Sequence, residues 1–189
     1  MLLSEEAKSG ITVLEKKDVI LRAPTVEDGG EVWKLIKHTG VLDLNSSYSY
    51  LMWCTFFSET SIVAEAGNQI VGFVSAFIQP KSPNTIFIWQ VAIDASYRGE
   101  GLASKLLKTL FNRRNIRNVR YLEATIGPSN RASQALFYKL ARDLSTDCNV
   151  TPCFIEEQFP EEGHEEELLF RIGPINPALT GSKTPASRH

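Results

Sequence analysis

The segment Arg98-Gly99-Glu100-Gly101-Leu102-Ala103 constrains this chain more than any other. It follows an apolar run, Ile86 to Ile93, and opens an amphipathic stretch, Leu102 to Phe111. The order is strand, glycine turn, helix. A helix start carries unpaired backbone N–H groups and the positive end of the helix dipole, so such a turn suits a phosphate. Small residues let a ligand approach the backbone closely. The turn therefore points to a phosphate-bearing cofactor.

Patterning places the other elements around it. Asp18 to Arg22 reads as a short strand. Thr25-Val26-Glu27-Asp28 has the form of a capping box, with Asp where Glu or Gln is usual. The next helix carries Val32, Trp33, Leu35 and Ile36 on one stripe and ends at His38-Thr39-Gly40. Asp43 to Ser47 is a polar loop, and Tyr48 to Phe57 an aromatic-rich helix. Strands at Ser61 to Glu65 and Ile70 to Phe77 flank a Gly67-Asn68 hairpin turn, and Pro80 to Asn84 makes another turn. Ile86 to Asp94 has the composition of a strand buried on both faces. After the Leu102 helix come a strand at Val119 to Ile126 and a helix opened by Pro128-Ser129-Asn130, with Ala132, Ala135, Leu136 and Leu140 on one side. Cys153 to Ile155 and Leu168 to Ile172 read as the last strands, separated by an acidic loop, Glu156 to Glu167. This order predicts an α/β fold with a mixed sheet. Residues 1–17 are expected to form a weakly ordered lead-in, 18–175 the domain, and 176–189, rich in Pro, Ser and Thr, a flexible tail.

Composition narrows the function. At 189 residues, 43% hydrophobic, 22% charged and net charge -2, the chain suits one globular domain with no call for nucleic acid or a membrane surface. Arg113, Arg114, Arg117 and Arg120 read as a solvated face at a helix end. The three cysteines, Cys54, Cys148 and Cys153, form neither a disulfide framework nor a metal-binding spacing. They read as free thiols, with Cys54 in the core. No segment has the length of a signal peptide or a membrane span, so a cytoplasmic location is expected.

The glycine turn lacks the Gly-Lys-Ser/Thr of a P-loop, and antiparallel hairpins precede it where a dinucleotide fold needs an early βαβ unit. It fits the pattern Arg/Gln-x-x-Gly-x-Gly/Ala, after a strand ending Val91-Ala92-Ile93-Asp94. About thirty residues on stands Asn130-x-x-Ser133-x-x-Leu136-Phe137-Tyr138. In these motifs and in element order, Val19 to Ile172 resembles the Gcn5-related N-acetyltransferase superfamily. The resemblance implies a central, mostly antiparallel sheet flanked by helices. It also implies acetyl-CoA as cosubstrate, with no metal. Its pyrophosphate would lie on Arg98, Gly99, Gly101, Leu102, Ala103 and Ser104. The Val91 and Ile93 backbone would pair with the pantetheine arm and hold the oxyanion, and Asn130 and Ser133 would complete the site. Tyr138 would be the general acid, although the family's Tyr position is occupied by Phe137. One residue along a helix turns a side chain by roughly 100°.

Further segments resemble the branch of that superfamily that acetylates L-2,4-diaminobutyrate on the route to ectoine, a compatible solute. They are Asp43 to Leu51 with Trp53-Cys54, Ile88 to Asp94, Tyr121 to Thr125, Pro128 to Ser133 and His164-Glu165. This implies a small diamino acid as acceptor, acetylation of its side-chain amine in a ternary complex, and a homodimer. The residues agree chemically. Asp43, Glu123 and the acidic loop offer carboxylates to two ammonium groups, while Asn45, Ser46, Ser47 and Tyr48 offer donors to the substrate carboxylate. Trp89 either walls the pocket or faces the core. Glu123 is the first candidate base, against an ion pair with a neighbouring cation, and His164 the second, against a surface histidine. Other small amines, such as a polyamine or lysine, and a non-catalytic acyl-CoA sensor remain as alternatives.

Overall fold

A computed structural model describes residues 18–160 and 163–176. The expected lead-in, and the expected tail from residue 177 onward, lie outside them. The elements are β1 (Val19–Arg22), α1 (Gly29–Thr39), α2 (Ser47–Phe56), β2 (Ile62–Ala66), β3 (Gln69–Gln79) and β4 (Ser82–Ile93). They continue with α3 (Leu102–Phe111), β5 (Tyr121–Ile126), α4 (Arg131–Asp143), β6 (Cys148–Phe154) and β7 (Glu167–Ile172). The element order is the one the patterning predicts.

The described strands form one seven-stranded sheet, ordered β1-β2-β3-β4-β5-β7-β6. Neighbours run antiparallel except β4 and β5, which are parallel. Helices α3 and α4 cover one face. Leu106, Leu107, Leu110, Phe137 and Leu140 pack there on Ile62, Val74, Ile86, Leu122 and Phe170. Helices α1 and α2 cover part of the other, where Val32, Ile36, Tyr50 and Cys54 meet Val63, Phe73 and Ala92. That second cluster contains no residue of β5, β6 or β7. The far half of this face lies outside that cluster and carries polar side chains among others. Alternation along the strands puts Glu123 and Thr125 of β5 there, beside Glu167 and Arg171 of β7.

Two irregularities shape the centre. Ser75 pairs with Gln90 but Ala76 with Ile88, so Trp89 is an extra residue in β4. Such a bulge re-aims a side chain, and Trp89 is 51% exposed although its run was expected to be buried on both faces. Next, β4 pairs with β5 only through Thr85–Phe87 against Tyr121–Glu123. Beyond Phe87 the two strands part, although β4 continues to Ile93 and β5 to Ile126.

Three expectations are corrected. β4 begins at Ser82, inside the expected Pro80 to Asn84 turn. β6 begins at Cys148 instead of Cys153. It is an edge strand, which tolerates Pro152 and polar residues that disguise it in sequence. Arg113 is not a solvated charge, because its guanidinium donates to the carbonyls of Ser58, Glu59 and Ser61. Arg120 likewise donates to the Ile175 carbonyl.

Candidate active site

The turn between β4 and α3 is built from local rules. Asp94 caps a short 3-10 turn by accepting from the Ser96 amide at 2.9 Å. Gly99 (φ 79°) and Gly101 (φ 76°) are both left-handed, a conformation that strains other residues. A Cβ at either would meet nothing within 4 Å, so the approach to this backbone is open. The first helical bond of α3 runs from the Lys105 N–H to the Gly101 carbonyl. The amides of Leu102, Ala103 and Ser104 precede it and are available at the positive end of the helix. Arg98 folds back instead of reaching outward: its Nε donates to the Ile93 carbonyl at 3.1 Å and pins the turn to the strand end.

This turn borders a cavity of about 490 Å³, within the usual range of ligand pockets. The structure brings together there all ten residues expected to hold the cofactor. Val91 and Ile93 lie along β4, Arg98, Gly99, Gly101, Leu102, Ala103 and Ser104 at the turn, and Asn130 and Ser133 at the start of α4. Thr39, Val41 and Leu42 line it from the end of α1. Asn130 is also the N-cap of α4, its Oδ1 accepting from the Ser133 amide at 3.1 Å.

Tyr138 is not among the lining residues. Its ring packs edge-on against Phe170 and is 42% exposed, while Phe137 is buried in the core. The helical turn between Leu136, which does line the cavity, and Tyr138 carries the phenol away. The structure does not bring the Tyr138 phenol to the cavity wall, where the expected general acid would stand.

Just after Leu42 of the cavity wall, a buried polar network fixes the Asp43 to Ser47 loop. Gln90 Nε2 donates to the Asp43 carbonyl (2.8 Å), and the Tyr50 hydroxyl donates to Gln90 Oε1 (3.3 Å) and accepts from the Asn45 amide (3.3 Å). Ser47 and Tyr48 open α2, and Tyr48 is exposed. Trp89 lies nearly parallel to Trp53, ring centroids 6.5 Å apart, so it forms an aromatic wall outside the core.

Glu123 is buried and doubly partnered. Arg171 pairs with one carboxylate oxygen, and Gln79 Nε2 donates to the other at 2.5 Å. Arg171 in turn lies over the Tyr121 ring, 4.0 Å from its centroid. The geometry gives Glu123 the ion-pair role in place of a free base. His164 stacks on Phe159, centroids 3.7 Å apart and planes 8° apart. Its Nδ1 lies 2.8 Å from the Glu165 carbonyl. A carbonyl only accepts, so Nδ1 is the donor in this contact, and Nε2 is the ring nitrogen left facing away from it.

A residue not singled out in sequence stands at the centre of this face. Glu167 Oε2 is buried without a hydrogen-bond partner among the described residues. Burial pushes the Glu167 carboxyl above its usual range, and nearby Glu165 and Asp43 push the same way. His164 and a hydrogen bond with Thr125 oppose them. The sequence signal was available: in Glu167-Leu168-Leu169-Phe170-Arg171-Ile172, alternation sets Glu167 on the polar face, although it reads as the end of an acidic loop. Cys54 is excluded as a nucleophile, since burial pushes its thiol up to about 12. Among the described residues no group of three or more His, Cys, Asp or Glu is placed to hold a metal ion, and no helix is long and apolar enough to cross a membrane.

A splayed sheet with a phosphate-type helix start beside the splay defines an acyl-CoA N-acyltransferase. Residues 31–141 match the Acetyltransferase (GNAT) family, and the chain belongs to it. It is 56% identical over 157 residues to the L-2,4-diaminobutyric acid acetyltransferase of Marinococcus halophilus, covering 83% of this chain and 91% of that protein. It is 54% identical over 155 residues to the protein of the same name from Virgibacillus pantothenticus, covering 82% and 98%. Among solved structures, the diaminobutyrate acetyltransferase of Paenibacillus lautus in complex with its substrate L-2,4-diaminobutyric acid and coenzyme A superposes with a TM-score of 0.82. That chain is 43% identical, with 85% of this chain and 97% of that one covered.

Glu167 yields a prediction of opposite signs for stability and activity. Its folded-state value is raised, so the native state binds more protons than the unfolded state between the two values, and stability falls as pH rises through that window. Glu167→Gln removes this penalty. At neutral pH its melting temperature is expected to equal or exceed that of the parent, while the acetylation rate falls by about 10²- to 10⁴-fold. Calorimetry and a thiol-release assay on the same preparation check both signs.

Proposed function

We propose that this chain transfers the acetyl group of acetyl-CoA to the side-chain amine of L-2,4-diaminobutyrate, giving the N-γ-acetyl product from which ectoine is made. One observation carries the proposal. The cavity that ends on the α3 amides is walled by Val91 to Ile93, the part of β4 that has left β5, and by Leu42, next in the chain to Asp43, whose charge together with that of His164 acts on Glu167. The names of the similar proteins support the same donor and acceptor.

Each part has a role. The amides of Leu102 to Ser104, with the open backbone of Gly99 and Gly101, hold the pyrophosphate. The edge of β4 around Val91 and Ile93, released from β5, pairs with the pantetheine arm and lends an N–H to the developing oxyanion. Asn130 and Ser133 shape the far wall. On the acceptor side, Asp43 anchors an ammonium group, and the Asn45, Ser47 and Tyr48 region faces the substrate carboxylate. Trp89 walls the methylene chain.

An alkyl ammonium has a pKa of about 10 and cannot attack until it loses a proton. Glu167, a carboxyl shifted upward and lacking a partner on one oxygen, accepts it more readily than the ion-paired Glu123. His164 Nε2 is the next acceptor. The amine nitrogen then bonds to the thioester carbon, the carbon–sulfur bond breaks, and the thiolate takes a proton from solvent. The proposal includes a homodimer. Phe154 and Ile155 are exposed at the end of edge strand β6, an apolar margin suited to a second copy. Sedimentation equilibrium is expected to give twice the 21.1 kDa chain mass, and a monomer would remove this part of the proposal.

The activity is tested by incubating the protein with acetyl-CoA and, separately, L-2,4-diaminobutyrate, ornithine and lysine. Free thiol should appear fastest with diaminobutyrate, and NMR of the product should place the acetyl group on the side-chain nitrogen. Equal rates on all three amines would favour a general small-amine acetyltransferase. Acetyl-CoA binding without thiol release would indicate a sensor.

A further inference from the structure

We infer that Glu165 is a positioning residue that clasps the acceptor-side segment to the turn at the head of α4. The inference rests on the acceptor role proposed above for His164 and Glu167. Glu165 reaches 36 residues back in the chain. Its carboxylate accepts from the Ser129 amide, at 3.0 Å to Oε2 and 3.3 Å to Oε1, and from the Ser129 hydroxyl. Hydrogen bonds to an ionised acceptor are the stronger kind.

Gly127 packs directly beneath this carboxylate. A Cβ there would lie 2.5 Å from Glu165 Oε1 and 2.9 Å from its Cδ. Gly127 is not among the residues of positive φ, so glycine serves here to make room. The Glu165 carboxylate occupies the space that any larger residue would fill.

The anchor is rigid in its own right. The Asn130 amide donates to the Gly127 carbonyl (3.1 Å), and Gln134 Nε2 donates to the carbonyls of Gly127 (3.2 Å) and Pro128 (3.0 Å). This turn leads directly into Asn130 and Ser133, which border the donor cavity. On its other side, Glu165 offers its carbonyl to His164 Nδ1 and stands two residues before Glu167. One residue thus orients the imidazole with its backbone and fixes its segment's place with its side chain. The clasp sets the distance between acceptor groups and thioester, while the turn holds its own shape without it.

Three variants test this: Glu165→Ala, Glu165→Gln and Gly127→Ala. Glu165→Ala should lower kcat/KM for diaminobutyrate by about 10- to 100-fold, as expected when a reacting group is misplaced. The loss should appear in the amine KM and in kcat, with acetyl-CoA affinity unchanged by calorimetry. Glu165→Gln keeps an acceptor oxygen in the same space and should restore much of the activity. Gly127→Ala should reproduce the Glu165→Ala defect, and the double variant should be no worse than either single one, because both break the same contact. Hydrogen exchange provides a readout besides activity: amides of residues 127–130 and 163–166 should lose protection together in Glu165→Ala. Unchanged kinetics and exchange in Glu165→Ala, or additive losses in the double variant, overturn the clasp. A parent protein inactive on diaminobutyrate overturns the acceptor role instead, and the exchange measurement still decides the contact.

Discussion

Strands β4 and β5 share three residue pairs and then separate. Backbone N–H and C=O groups of a strand in mid-sheet demand partners, and an edge left open in the interior invites an extended ligand to supply them. Everything that positions the site follows from this parting. The glycine turn after Ile93 sits at the open end, so the α3 amides face the slot. The bulge at Trp89 turns an indole out of the sheet at the point of divergence. One face of the sheet is closed by α3 and α4, and the other is covered in part by α1 and α2.

The acceptor face conflicts with stability. A carboxyl with a buried, unpartnered oxygen costs folding free energy, and two further acidic side chains near it raise that cost. A fold optimised for stability alone would pair Glu167 as it pairs Glu123 with Arg171 and Gln79. The contrast between these two glutamates on adjacent strands is the ground for proposing Glu167, and not Glu123, as the proton acceptor. A substrate bearing ammonium groups would supply the missing charge partner, so binding energy and relief of this strain coincide.

Much of the donor side was legible in the sequence because its rules are local. Glycines with left-handed φ, an N-cap at Asn130 and helical periodicity each span a few residues, and each leaves a pattern in Arg98 to Phe111 or Asn130 to Leu140. The acceptor side was less legible because its determinants are pairings between distant strands. The Glu123–Arg171 ion pair joins residues 48 apart, and only the β5–β7 register brings them together. Tyr138 shows the limit of a motif: one position along a helix moved its ring from the cavity to Phe170. Edge strand β6, with Pro152 and alternating polar residues, has too weak a pattern to show its full length before β7 is seen beside it.

A crystal structure with coenzyme A and L-2,4-diaminobutyrate tests the role of the slot most directly. The expected density runs the pantetheine arm between β4 and β5 along Val91 to Ile93, with the pyrophosphate on the amides of Leu102 to Ser104. The side-chain amine of the amino acid should lie against Glu167, facing the cofactor sulfur. A pantetheine arm outside the β4–β5 gap, or an amine seated on Glu123 with the Arg171 pair broken, would contradict the division of roles derived from the parted strands.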